Sequence, residues 1–216
     1  MSSGGQSRPA LDAILKSRAA LLFALALGAA APACYTGSAR TVSSGRVVEL
    51  SRDPSWRVAR DVPFVAQRSD KDCGPAALAM ALSRYGVTPE SLAANPELAQ
   101  GNVRAGALRD AARARGVPAF VVSATFADLN TQLERGRPVL VGMAKPMALT
   151  GGKALAHYEV VIGMSKKQKK IVSLDPAVGV REYSLEGFAR EWIPTRRLAI
   201  VFLPQELASR WPDSWR

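Results

Sequence analysis

From Cys73 to Leu82 the chain is almost continuously Ala, Leu and Met, and Ser83-Arg84-Tyr85 then leads to Gly86. A run this apolar has no polar face to turn toward solvent. It predicts a helix over 73–85, buried on nearly every side and stopped by Gly86. The rest of the chain has to be arranged around it. At 216 residues there is room for one ordinary domain and a targeting segment. With 48% apolar and 22% charged residues, the composition is globular rather than disordered.

Downstream, the pattern changes character. Weaker helices are expected over 89–94 and 105–115, the second ended by Gly116-Val117-Pro118. A strand over 119–123 and a helix over 126–135, closed by Gly136, follow. Beyond that point the period is that of strands, over 138–143, 157–164, 171–174, 180–184 and 198–203, with a short helix over 185–192 among them. Helices first and strands afterwards predict an α+β domain with a segregated antiparallel sheet. Its expected extent is 61–207, followed by a tail over 208–216.

The start of the chain is read separately. Arg8, Lys16 and Arg18, offset by Asp12, precede an uncharged run from Ala19 to Ala33 that ends in small residues. This is the three-part build of a secretory signal, and the run is short for a membrane span, which needs about 20 apolar residues. The signal is expected over 1–33, and its removal leaves +9 of the formal +11 charge. Ala31-Pro32-Ala33-Cys34 resembles the lipobox of bacterial lipoproteins, which implies lipidation at Cys34 and a place in the cell envelope. The same residues also satisfy the small-x-small rule for ordinary cleavage, with a periplasmic or secreted product. Residues 34–60, rich in Ser, Gly, Arg and Thr, are expected to be a tether that lifts the domain off a membrane.

The chemistry is concentrated in Gln67-Arg68-Ser69-Asp70-Lys71-Asp72-Cys73-Gly74-Pro75-Ala76-Ala77. Cys73 lies where a loop becomes the buried helix, and free N–H groups at a helix start favour a thiolate. Gly74 is expected to let a substrate backbone come close, and Pro75 suits the first turn. Gln67 can swing its amide beside the thiol and, with the Cys73 N–H, hold a negative oxygen during acyl transfer. A lone cysteine is otherwise a small buried hydrophobe; here its Gln-x5-Cys-Gly-Pro context favours the reactive reading. The chain's two cysteines, Cys34 and Cys73, are better explained by two separate tasks than by one disulfide.

A cysteine nucleophile needs a base, and the chain has one histidine. His157 opens a strand, the lysine-rich segment 166–170 reads as a hairpin turn, and the returning strand ends at Asp175. That folding brings Asp175 opposite or diagonal to His157, where it can orient the imidazole. Asp175-Pro176 also suits a plain turn.

Gln67 through Ala77, His157 through Gly163 and Asp175 through Gly179 together resemble, in order, the three motifs of the bacteriocin-processing cysteine peptidases. These are papain-like enzymes, often fused to a transporter, that cut leader peptides after a double glycine. The resemblance spans about 62–204. It implies a papain-like fold and a peptide or protein substrate. It also implies Cys73 as nucleophile, His157 as base, Asp175 as orienting residue and Gln67 as oxyanion donor.

Two features depart from that pattern. The chain shows no second apolar span and no Gly-x4-Gly-Lys phosphate loop, so it reads as a stand-alone, exported relative. An extended stretch over 144–156 precedes His157, and its Gly151-Gly152 reads either as a flexible rim over the cleft or as a loose loop. The triad is equally compatible with acyl transfer or amide hydrolysis, and a catalytically silent, peptide-binding lipoprotein is the remaining alternative. No cofactor is expected, and one histidine with two separated cysteines gives no metal-ligand spacing. The positive charge comes without any basic-aromatic motif, so nucleic acid is not expected as a partner.

Overall fold

The structure, a computed structural model, describes residues 35–147 and 154–208. Its centre is the helix α2 (Cys73–Leu82), in which Ala77, Leu78, Met80, Ala81 and Leu82 are all fully buried. A single 3-10 turn, Ser83–Tyr85, extends it, and Gly86 closes it in the left-handed conformation at φ 73°, which a side chain would resist. Three short helices follow: α3 (Pro89–Ala93), α4 (Pro96–Ala99) and α5 (Ala105–Arg113). The first two start with a proline behind a capping Thr88 or Asn95. Among the described residues no helix is long and apolar enough to cross a membrane.

One eight-stranded antiparallel sheet carries the rest. Its strands are β1 (Arg40–Thr41), β2 (Arg57–Val58), β3 (Ala119–Ser123), β4 (Val139–Lys145), β5 (Leu155–Ser165), β6 (Lys170–Asp175), β7 (Gly179–Ser184) and β8 (Leu198–Phe202). They run in the order β1-β7-β6-β5-β4-β8-β3, with β2 paired to β5. Successive side chains alternate between faces. Leu140, Val160 and Ile162 therefore join the core beneath α2, while Val139, Val141 and Val161 join a second core on the reverse side. That second core is covered by α6 (Phe126–Glu134) and α7 (Leu185–Trp192), which supply Leu129, Leu133, Phe188 and Trp192. The helices are thus not confined to one side. Because both faces of β4 are covered, its sequence is an apolar run rather than an alternation.

The tether expected over 34–60 is corrected from Tyr35 onward. β1 pairs with β7, the helix α1 (Gly45–Arg52) follows it, and β2 pairs with β5. Leu50 and Trp56 anchor this segment in the core beneath α2, at 3% and 4% exposure. Burying an indole stabilises by about 2 kcal/mol or more, enough to hold a short polar segment against the sheet. The 144–156 stretch is likewise paired at both ends, through Ala144↔Ala156 and Lys145↔Leu155. Gly151-Gly152, the signal over 1–33, Cys34 and the tail beyond a short α8 (Gln205–Ala208) lie outside the described residues.

Candidate active site

Cys73 is the first residue of α2. The N-cap residue, Asp72, makes no side-chain capping bond, so the first N–H groups of the helix that Cys73 begins are not capped by it. Gly74 corrects the expectation of a substrate-facing glycine. Its position faces inward, and a Cβ there would sit 3.3 Å from the Tyr158 ring and 3.4 Å from Leu108. The glycine lets β5 approach the helix, and that approach brings the thiol and the imidazole together.

His157 lies early in β5, opposite Met143 of β4. Its Nε2 is 2.7 Å from Asp175 Oδ1, and the Cys73 thiol is near enough to the same ring to favour its protonated form. With Nε2 committed to Asp175, Nδ1 is the nitrogen left for sulfur. Asp175 ends β6, in a diagonal position set by the Val160↔Leu174 register. Burial alone disfavours the imidazolium; the hydrogen bond to Asp175, the Cys73 thiol, and the charges of Asp175 and Glu159 outweigh it. His157 is thereby pushed up to about 9. Burial also disfavours the Asp175 carboxylate, yet its partners His157, Lys145 and the Ala177 N–H hold it below the usual carboxylate range.

Gln67 reaches the same end of α2. Its backbone N–H donates to Pro176 O at 3.0 Å, which ties the loop before the helix to the turn after Asp175. It lines a cavity of about 410 Å³ with Val65, Asp72, Pro75, Ala76 and Leu98, and its Oε1 is buried without a hydrogen-bond partner among the described residues.

Behind Asp175 lies a charged network that sequence reasoning missed. Lys145 Nζ sits against Glu159, 2.5 Å from the Tyr183 hydroxyl, 3.3 Å from Glu191 and 3.8 Å from Asp175. Arg181 Nε donates to Asp175 Oδ2 at 3.1 Å, and its guanidinium lies 4.4 Å from the centre of the Tyr35 ring. Tyr35 in turn donates to Glu191 at 2.5 Å. Ser173 and Tyr183 both donate to Glu159. Burial and the neighbouring Glu159 charge push Tyr183 up, so it stays a neutral donor.

Three carboxylates (Glu159, Asp175, Glu191) therefore face two fixed cations, Lys145 and Arg181, and an imidazolium at His157 completes the balance. The only legible signal was the presence of charged residues inside apolar strands, Glu159 above all. His157, Glu159 and Asp175 offer ligand atoms within 4.8 Å of one another. The Lys145 ammonium and the Arg181 guanidinium already compensate those carboxylates, which leaves little electrostatic demand for a metal ion there.

A cysteine at the start of a buried helix, set against a histidine and an aspartate on an antiparallel sheet, defines the papain-like class of cysteine peptidases. The chain belongs to the peptidase C39 family, which it matches over residues 61–205. It is 30% identical over 131 residues to the lactococcin-A transport/processing ATP-binding protein LcnC of Lactococcus lactis subsp. lactis, a match that covers 60% of this chain and 17% of that protein. The chain thus spans about a sixth of the length of that transporter. The peptidase domain of Streptococcus ComA, a bi-functional ABC transporter involved in a quorum-sensing pathway, is 30% identical. The match covers 67% of this chain and 100% of that one, with a TM-score of 0.52. A double-glycine motif protease from an AMS/PCAT transporter, solved in complex with the leader peptide, shares the fold at 23% identity. It covers 68% of this chain and 95% of that one, with a TM-score of 0.53.

Proposed function

We propose that this C39 peptidase is an endopeptidase acting on peptides through a thioester acyl-enzyme. The observation that carries the reading is the imidazole held between the Asp175 carboxylate, at 2.7 Å, and the Cys73 thiol. Cys73 sulfur attacks the peptide carbonyl carbon, its proton having passed to His157, and the carbonyl electron pair moves onto oxygen. The backbone N–H of Cys73 and the Gln67 amide receive that oxyanion. Collapse breaks the C–N bond, and His157 protonates the leaving amine. Water then attacks the thioester as His157 takes its proton; the C–S bond breaks, an acid is released and the thiol is restored. Asp175 keeps the imidazole in one orientation throughout.

The substrate class is a double-glycine leader-type peptide, supported by the nature of the proteins this chain is similar to. The cavity beside Gln67, lined by Val65, Ala76 and Leu98, offers an apolar surface for the residues next to the scissile bond. The reading extends to location: Cys34 becomes a lipidated N-terminus after signal removal and holds the enzyme in the cell envelope. The intact mass of the membrane fraction separates that form from plain cleavage.

The test of activity compares the full chain with Cys73→Ala and His157→Ala on a peptide carrying Gly-Gly between leader and cargo. Mass spectrometry should show a cut after the second glycine with wild type alone. Cleavage that persists in Cys73→Ala would end the proposal, as would iodoacetamide labelling of Cys73 with the same pH profile in wild type and His157→Ala.

A further inference from the structure

Burying a charged side chain is tolerated when an opposite charge meets it. The buried Lys145, Glu159, Asp175, Arg181, Glu182 and Glu191 all obey this rule through ion pairs. Arg137 does not. It is 4% exposed, yet among the described residues no carboxylate lies within ion-pair range of it. Its Nε donates to Gln132 Oε1 at 2.8 Å, which fixes the guanidinium plane, while Nη2 is buried with no hydrogen-bond partner among the described residues.

The surroundings add to the excess of positive charge. Arg137 lines a cavity of about 330 Å³ together with Arg84, Tyr85, Arg135, Gln205 and Glu206. Arg84 and Tyr85 come from the turn that ends α2, Arg135 and Arg137 from the link between α6 and β4, and Gln205 and Glu206 from α8. Gly136, with φ 66°, leaves room for Arg84, whose Nη1 lies 3.4 Å from where a Cβ would be. Burial and the charges of Arg135 and Arg84 lower the Arg137 pKa, the mark of a cation placed among cations. The cavity sits at the Val139 end of β4, whereas the His157 contact is at Met143, and at the end of α2 away from Cys73.

We propose that this cavity is a binding site for a phosphomonoester dianion, carried either by a small soluble molecule or by a lipid headgroup. Among the described residues that line it, three guanidinium groups face one carboxylate, Glu206, an excess of two positive charges, which a dianion neutralises and a monocarboxylate does not. Guanidinium groups match phosphoryl oxygens in bidentate geometry, and Arg137 Nη2 is a donor without an acceptor. The volume lies at the low end of the range for small-molecule sites, about 300–1,000 Å³. It suits a phosphoryl group with a small substituent.

The test follows thermal unfolding of the full chain as inorganic phosphate or glycerol 3-phosphate is titrated in, against sodium chloride at matched ionic strength. A ligand that binds only the folded state raises the midpoint in proportion to its saturation of the site. The expected result is a saturable rise in wild type, with affinity weakened at least about tenfold in Arg137→Gln, the size of effect given by losing one charge-assisted contact. The exposed pair Arg84→Gln with Arg135→Gln, which leaves the core untouched, should weaken it similarly and carries the test if Arg137→Gln does not fold. Sedimentation with phosphatidic acid vesicles, compared with phosphatidylcholine vesicles, identifies the lipid source if the extra binding disappears in Arg137→Gln. Glycerol 3-phosphate binding without an Arg137-dependent vesicle difference identifies the soluble source. No saturable response to phosphate, glycerol 3-phosphate or phosphatidic acid, or responses equal in wild type and the arginine variants, overturns the proposal.

Discussion

His157 provides a direct thermodynamic test of the charge network, independent of any substrate. In the folded chain its imidazole titrates at about 9, against about 6.5 for an unperturbed histidine. The folded state therefore holds this proton more tightly than the unfolded state, and protonation favours folding. The contribution is complete below about pH 6.5, declines as pH rises from about 6.5 to about 9, and is absent above that. At about 1.4 kcal/mol per tenfold change in proton affinity, the gap corresponds to about 3 kcal/mol. With the side chain only 8% exposed, solvent screening reduces this little. The perturbation is His157→Gln, and the assay is urea unfolding at pH 6, 8 and 10. Tryptophan fluorescence reports it, because Trp56 and Trp192 are 4% and 1% exposed in the folded chain. Both proteins carry Cys73→Ser, which removes the thiol from the difference, and groups titrating equally in both proteins cancel. The protein that keeps His157 should lose up to about 3 kcal/mol relative to the variant between pH 6 and pH 10. A difference that stays constant with pH, or grows as pH rises, refutes the reasoning that a proton at His157 balances the buried carboxylates.

Lys145→Met should destabilise by about 3–5 kcal/mol, because it leaves Glu159 and Glu191 buried without their shared cation; the urea midpoint at pH 7 measures this. Gln67→Ala should lower kcat by about 10²–10³-fold with little change in KM, as expected when one oxyanion donor is removed, and steady-state kinetics on a cleavable leader peptide separates the two constants. Trp56→Ala should cost about 3–5 kcal/mol, measured by thermal unfolding followed by far-UV circular dichroism. A near-neutral result there would return residues 35–58 to the role of a loose tether.

The parts legible in the sequence were those where one local pattern decides the outcome. The helix that starts at Cys73 was legible because no polar face interrupts Ala76–Leu82, and β5 and β6 because a lysine-rich turn separates two apolar runs. Hairpin arithmetic alone brought Asp175 near His157. The N-terminal segment was not legible, because β1 and β2 are two residues each, too short to display a period, and only Leu50 and Trp56 anchor a stretch whose composition is that of a linker. The network around Lys145 was hidden for a different reason. Its members come from the N-terminal segment, β4, β5, β6, β7 and α7, and no single element supplies more than two of them. Gly74 was misread because a glycine beside a nucleophile suggests substrate approach, whereas the close neighbour is the enzyme's own Tyr158.

The docking of Tyr35 has a mechanical consequence. Its ring stacks on Arg181, its backbone bridges to Met147, and Thr36 donates to Pro146 O at 3.0 Å. One peptide unit, about 3.8 Å of chain, separates it from Cys34. If Cys34 carries the proposed lipid, the enzyme has almost no leash. Its working radius is then set by the body of the domain, and it meets only those peptides that arrive close to the bilayer surface. Inserting a flexible Gly-Ser spacer between Cys34 and Tyr35 would widen that radius without altering a catalytic side chain.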